Sequence, residues 1–122
     1  MNILAVDTSA NVASAAVICG GTLVGESMIN NKKTHSEKLM PMIDTLLKNN
    51  DMDITDIDLF AVANGPGSFT GLRIGVSTVK GLAHAVGKPI VGISTLEGLA
   101  YNLSYTCGII SPIMDARRSQ VY

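Results

Sequence analysis

The stretch that decides the fold is Ala63–Gly75, ANGPGSFTGLRIG, a glycine-rich turn that joins an apolar run to a predicted helix. Turns of this kind between a strand and a helix often hold a phosphate group at the helix N-terminus. The spacing here fits neither common phosphate motif. Leu72 stands where a P-loop has its lysine, and Gly71 is one position late for a dinucleotide fingerprint. We therefore predict that the glycines serve close packing, with a weak anion site as the alternative.

The helix that follows the turn, predicted over Thr70–Val86, has more than one apolar face. The first face consists of Leu72, Val76, Val79, Ala83 and Val86. The second face consists of Gly71, Gly75, Thr78, Leu82 and Ala85. The polar stripe consists of Arg73, Ser77, Lys80 and His84. Because one apolar face is enough to pack on a sheet, and small residues allow close approach, the second face is predicted to meet another helix. That helix belongs either to this chain or to a partner.

The rest of the chain predicts a mixed sheet. The predicted strands are Ile3–Val6, Ala13–Cys19, Leu23–Ile29, Leu59–Ala63, Ile90–Ile93 and Gly108–Met114. The other predicted helices are Ser36–Asn49 and Thr95–Tyr105, and NNKKTH (30–35) reads as a polar loop. Gly20-Gly21 marks a hairpin, whereas the later strands alternate with helices and so favour parallel crossovers. The chain is therefore predicted to have an α/β fold with a mixed sheet and flanking helices.

Composition excludes several classes of protein. The chain has 122 residues, a formal net charge of -1 and 47% hydrophobic residues, so it can bury a core but carries no broad basic field for nucleic acid. No segment reads as a signal peptide or a membrane span, which favours the cytoplasm. Cys19 and Cys107 form no CxxC pair and are expected to be reduced.

No residue set meets the requirements of a catalytic or metal site. Asp7 ends the first strand, where phosphotransferases place an aspartate, but Thr8-Ser9 follows it without a glycine. An aspartate that caps its own turn is an equally good interpretation. His35 and His84 have no second ligand at helical spacing. We predict no catalytic residues and no metal, with Asp7 and Ser9 as a relic nucleotide loop.

Several segments together resemble the TsaB (YeaZ) family. These segments are ILAVDTS (3–9), THSEKLMPMID (34–44), ANGPGSFTGLRIGVSTVKGLA (63–83), GISTLEGLA (92–100) and MDARRSQVY (114–122). The resemblance implies an actin/Hsp70-like (ASKHA) lobe with a five-stranded sheet of order 3-2-1-4-5. Residues 1–107 would form this N-terminal lobe, and 108–122 the first strand of a truncated second lobe.

The resemblance also implies a function. TsaB-like proteins act with a catalytic paralogue, TsaD, and an ATPase, TsaE, to transfer a threonylcarbamoyl group to the adenosine beside the anticodon of tRNA. The paralogue carries histidines where this chain has Thr95 and Leu99. The resemblance therefore implies a non-catalytic subunit that reaches tRNA only through the complex, forms a homodimer in isolation, and needs no cofactor except ATP or ADP at a subunit boundary. The alternatives are a nucleotide-binding ATPase or phosphotransferase of the same fold, and a self-associating structural protein.

In this family the helices of the N-terminal lobes form the contact between subunits. We therefore expect the partner-binding residues to lie on the two predicted helices 36–49 and 70–86. The expected residues are Leu39, Ile43, Leu46, Leu47, Gly71, Arg73, Gly75, Thr78 and Leu82. Some of the leucine and isoleucine side chains are expected to face the chain's own sheet instead.

Overall fold

The computed structural model describes residues 1–30 and 35–122; most of the predicted loop NNKKTH lies outside the described residues. The strands are β1 (Asn2–Asp7), β2 (Ala13–Cys19), β3 (Thr22–Ile29), β4 (Leu59–Ala63), β5 (Ile90–Ile93), β6 (Asp115–Arg117) and β7 (Gln120–Val121). The α-helices are α1 (His35–Lys48), α2 (Phe69–Val86) and α3 (Thr95–Tyr101), and Ile54–Asp56 forms a 3₁₀ turn.

The five-stranded sheet has the order β3-β2-β1-β4-β5, which confirms the predicted order 3-2-1-4-5. Strands β1, β2 and β3 pair antiparallel, whereas β1 pairs with β4 and β4 with β5 in parallel. The antiparallel part follows from the Gly20-Gly21 turn, where both glycines have a positive φ. The parallel part requires crossovers, and α1 and α2 supply them.

One face of this sheet forms the core together with α1 and α2. Helix α1 packs on β2 and β3, and α2 packs on β4 and β1. Alternate residues of β1, β2 and β4 are buried in this layer, as expected for the two-residue period of a strand. The largest fully buried side chains include Leu4 of β1, Val17 of β2 and Phe60 of β4.

The ends of α2 are well defined by the sequence. Ser68 is the N-cap, and its hydroxyl accepts a hydrogen bond from the Gly71 N–H at 3.2 Å. Gly87 is the C-cap and adopts the left-handed conformation with φ 66°, which glycine takes with little strain. The helix therefore ends at Val86, as predicted. The Gly65–Pro66 peptide bond that precedes the helix is cis.

Two predictions after β5 are wrong, the end of one helix and the existence of one strand. Helix α3 ends at Tyr101 and not at Tyr105. Residues 108–114 form no strand; instead β6 and β7 form a short hairpin around Arg118-Ser119. The physical reason is pairing: a strand requires a hydrogen-bonded neighbour, and Ile109 is fully exposed without one. Residues 108–114 are therefore irregular here, and the assignment of residues 108–122 to a second lobe stays a prediction.

Within the described residues, none of the helices has the length and apolarity needed to cross a membrane.

Candidate functional site

The turn after β1 is docked directly on the glycine-rich turn. The Ser9 N–H donates to Asp7 Oδ1 at 2.8 Å, so Asp7 caps its own turn. The Thr8 hydroxyl is fully buried and donates to the Gly71 carbonyl oxygen at 2.6 Å. The Ser68 N–H donates to the Ser9 carbonyl oxygen at 2.6 Å. These contacts join the start of α2 to the end of β1.

The glycines are what allow this close approach. A Cβ atom at Gly67 would lie 2.5 Å from the Ser9 carbonyl oxygen. A Cβ atom at Gly71 would collide with the Thr8 carbonyl oxygen, and one at Gly75 with Thr8 Oγ1. The packing interpretation of ANGPGSFTGLRIG fits this geometry, and the packing is internal to the chain.

Gly71 and Gly75 therefore do not face a partner, and the prediction that they do is wrong. Both glycines are buried within this chain. The pattern of small residues indicated a close approach correctly, but it did not show that the approaching group is the Thr8 turn and not another helix.

The apolar residues of α1 are also internal. Leu39, Ile43, Leu46 and Leu47 are between 0% and 5% exposed and belong to the core against the sheet. The prediction that they form a partner surface is wrong for all four, because the apolar face of α1 is fully used by the chain's own strands. Of the nine predicted partner residues, Arg73 is exposed, and Thr78 and Leu82 are half-buried.

The exposed face of α2 carries the predicted polar stripe. Arg73, Ser77, Lys80 and His84 are all exposed. The Arg73 guanidinium lies 4.5 Å from the centre of the Phe69 ring, and Phe69 is 71% exposed. Sequence reasoning missed Phe69 because it placed the helix start one residue later and assigned this residue to the turn.

The donors at the start of α2 are partly occupied by the protein itself. The Ser68 N–H is bound to Ser9, and the Gly71 N–H is bound to the Ser68 hydroxyl. A phosphate at this helix N-terminus would have to compete with these contacts. Asp7 is half-buried and Ser9 is 3% exposed. The two residues lie where the sequence places a relic loop, but the glycine-rich turn packs against that loop.

A recess of about 510 Å³ lies on the second face of the sheet, opposite α1 and α2. Its floor is made of small side chains, Ala5, Ala16, Ala61 and Ala63. Thr95 and Leu99 of α3 line its wall, together with Asp7 and Ser9. Neither Thr95 nor Leu99 is a metal ligand, and no group of three His, Cys, Asp or Glu residues converges within residues 1–30 and 35–122.

The two carboxylates with shifted pKa values lie away from the recess. The Asn2 backbone N–H donates to Asp58 at 2.8 Å, and Lys88 Nζ lies 3.4 Å from the same carboxylate. Both contacts hold the pKa of Asp58 below its ordinary value, with the Asn2 hydrogen bond the larger cause. Hydrogen bonds from Thr55 lower the pKa of Asp53 in the cap of the 3₁₀ turn. These carboxylates stabilise local structure, and neither one lines the recess beside α3.

Comparison with known proteins gives a consistent result. Residues 22–122 match the family model described as TsaD: tRNA N6-adenosine threonylcarbamoyltransferase. The chain is 46% identical over 122 residues to the tRNA threonylcarbamoyladenosine biosynthesis protein TsaB of Bacillus subtilis, covering all of this chain and 53% of that protein. It is 35% identical over 127 residues to TsaB of Haemophilus influenzae, covering all of this chain and 52% of that protein.

The solved structures agree with this similarity. YeaZ from Pseudomonas aeruginosa superposes with a TM-score of 0.88 at 32% identity, covering 98% of this chain and 57% of that one. The chain therefore spans about half the length of the relatives that it matches.

Proposed function

The chain belongs to the TsaB (YeaZ) family of TsaD-related proteins, and we propose that it acts as a non-catalytic subunit in forming threonylcarbamoyladenosine on tRNA. The product would be formed on the adenosine beside the anticodon. The observation that carries this proposal is similarity along the whole chain to proteins named for that pathway. No comparable observation favours an independent ATPase or phosphotransferase.

The non-catalytic part of the proposal is supported by the residues around the recess beside α3. Both Thr95 and Leu99 line this recess. The resemblance places them where the catalytic paralogue has histidines, and neither side chain binds a metal as imidazole does. The loop that would approach a phosphate, Asp7–Ser9, is in contact with Gly67, Gly71 and Gly75. Both features favour a structural role for this lobe.

The partners that we propose are a TsaD-like catalytic paralogue and a TsaE-like ATPase, with tRNA bound only through the complex. We place the paralogue on the outward face of the α1–α2 layer, because the inward faces of both helices are buried against the sheet. In isolation the same outward face would pair with a second copy, giving a homodimer. The compartment that we propose is the cytoplasm.

The binding of ATP or ADP at a subunit boundary stays a prediction. Equilibrium binding of fluorescent ADP to this protein, to the TsaD-like subunit and to the two together would test it. Binding that requires both subunits is the expected result, and tight binding to this protein alone would favour the ATPase alternative.

Reconstitution of the reaction tests the main proposal. The assay combines the TsaD-like and TsaE-like proteins, the enzyme that makes the threonylcarbamoyl adenylate, tRNA, threonine, bicarbonate and ATP. Modified nucleoside is measured by mass spectrometry with and without this protein. We expect product only when this protein is present, and product without it would contradict the proposal.

The variant Asp7→Asn distinguishes a scaffold role of this protein from a catalytic one. Asparagine retains an oxygen that can accept the hydrogen bond from the Ser9 N–H, but it removes the negative charge. We expect the yield to be unchanged. A yield that falls to background in a folded Asp7→Asn protein would mean that the Asp7 carboxylate takes part in the chemistry.

A further inference from the structure

The glycine-rich turn begins with Asn64-Gly65, the only Asn-Gly pair in the sequence. The backbone nitrogen of a residue can attack the side-chain amide carbon of an asparagine that precedes it. Glycine allows this attack best, because it has no side chain in the way. The packing of the turn on the end of β1 explains its later glycines, but it does not involve the Asn64 side chain. The asparagine therefore has a chemistry that the packing does not use.

The fold holds the backbone on both sides of this pair but leaves the attacking nitrogen unbound. Asn64 is exposed just after β4, and its N–H donates to the Ile93 carbonyl oxygen at 3.0 Å. The Gly65 carbonyl oxygen accepts a hydrogen bond from the Thr95 N–H at 2.9 Å. Among residues 1–30 and 35–122, the Gly65 N–H takes part in no backbone hydrogen bond. The Gly65 nitrogen therefore has no such bond that the reaction would have to break first.

From these observations we propose that Asn64 is a site of spontaneous deamidation, through a succinimide ring, in the folded protein. The Gly65 nitrogen forms a bond to Asn64 Cγ while the Cγ–Nδ2 bond breaks, and the amide leaves as ammonia with the proton of the Gly65 nitrogen. Water then opens the ring. Opening at Cγ gives aspartate at position 64, whereas opening at the backbone carbonyl carbon gives isoaspartate. Water is the only co-reactant, so the modification requires no cofactor, oxidant or partner.

The two products change the turn in different ways. Aspartate adds a negative charge after β4, which is the strand beside β1 and its terminal residue Asp7. Isoaspartate also leads the backbone through the former side chain, which adds one carbon atom to the main chain between the Asn64 N–H and the Gly65 carbonyl oxygen. The hydrogen bonds of these two groups to Ile93 and Thr95 then no longer match the parallel register of β4 on β5. We therefore expect isoaspartate, but not aspartate, to loosen the turn that leads into α2.

Ageing of the folded protein tests the proposal. The protein is incubated at mildly alkaline pH, where more of the backbone nitrogen is deprotonated, and each asparagine is then analysed by digestion and fragmentation mass spectrometry. Asn11 is the matched control, because it is also exposed between two strands but precedes Val12, whose branched side chain obstructs the attack. We expect aspartate and isoaspartate to accumulate at Asn64 and not at Asn11. If the urea-unfolded chain forms these products at Asn64 and the folded protein does not, the proposal is overturned.

The variant Asn64→Gln tests the route of the reaction. Glutamine keeps the amide group, but its attack by the Gly65 nitrogen would have to close a six-membered ring, which forms far more slowly. Circular dichroism shows whether the variant is folded. We expect position 64 to stay unmodified in the variant while the wild type reacts. Equal amounts of product in the two proteins would indicate direct hydrolysis of the amide by water and would overturn the succinimide route.

Thermal melts of the separated forms test the effect on the turn. Anion exchange separates the aged protein from the unaged protein by its added negative charge, and Asn64→Asp provides the aspartate product free of isoaspartate. We expect the melting temperature of Asn64→Asp to stay close to that of the wild type and the melting temperature of the isoaspartyl form to fall. Equal melting temperatures of the three forms would overturn the role given to the hydrogen bonds on the two sides of Asn64-Gly65.

Discussion

Adding one methyl group at Gly75 is the perturbation that tests the packing between α2 and the end of β1. The new Cβ would collide with Thr8 Oγ1, while Thr8 Cβ lies 3.4 Å away. Rotation of Thr8 relieves the collision only by breaking its buried hydrogen bond to the Gly71 carbonyl oxygen. The same substitution at Gly81 meets no atom within 4 Å and so serves as the matched control.

The expected change in the free energy of unfolding is the difference between one stabilising effect and two destabilising ones. Alanine is about 1 kcal/mol better than glycine inside a helix. Overpacking costs about 1–3 kcal/mol, and leaving the buried Thr8–Gly71 pair unsatisfied costs about 1–3 kcal/mol more. We therefore expect Gly75→Ala to lower the free energy of unfolding by about 1–5 kcal/mol, and Gly81→Ala to raise it by up to about 1 kcal/mol.

Urea denaturation followed by circular dichroism measures both variants. Gly71→Ala extends the series, because its Cβ would meet the Thr8 backbone carbonyl oxygen, which rotation of a side chain does not move. We expect Gly71→Ala to be the least stable of the three. Equal stability of Gly75→Ala and Gly81→Ala would refute the argument that Thr8 fills the space above Gly75.

Three further predictions concern the core, a helix end and pH. The Ile43 side chain is 2% exposed in the core, so Ile43→Ala should lower the free energy of unfolding by about 2–5 kcal/mol. The control Thr45→Ala, on the exposed side of α1, should change it little. Urea denaturation measures both variants. Gly87→Ala places a side chain at φ 66° and should lower the free energy of unfolding by about 1 kcal/mol, whereas Gly81→Ala should not lower it. Thermal melts in which the two variants are equally stable would contradict this prediction. Because folding lowers the pKa of Asp58, its contribution is present above the unfolded pKa and is lost as the pH falls through the folded pKa. Asp58→Asn should therefore lose less stability than the wild type on acidification below about pH 4. Identical melting profiles against pH would contradict the assignment.

The sheet and its helices were predictable because their signals are local. Gly20-Gly21 marked the hairpin, and the sequence placed both ends of α2 within one residue of those observed. The strand predicted over 108–114 failed because an apolar run predicts a strand only where a neighbour offers hydrogen bonds. That information lies in the tertiary structure and not in the run itself.

The candidate site was harder to predict than the fold. The four-residue spacing of Gly71 and Gly75 correctly indicated close packing, but Thr8, which fills the space, lies 63 residues from Gly71 in the sequence. Helical periodicity likewise placed Leu39, Ile43, Leu46 and Leu47 on one face without showing whether a sheet or a partner covers it. Arg73 was identified from the polar stripe, and its contact with Phe69 required coordinates.

The contact between Thr8 and Gly71 has a consequence for how the chain acquires its structure. Strands β1, β2 and β3 are neighbours in sequence, so their hairpins close quickly. The hydrogen bonds that β1 needs on its other side come from residues on the order of 60 positions later, which makes this step slow because a long loop has to close first. During synthesis, the part of β1 that α2 covers is exposed until α2 has left the ribosome. The glycine-rich turn is thus the segment that closes this long-range contact, and substitutions there are expected to reduce the yield of folded protein as well as its stability.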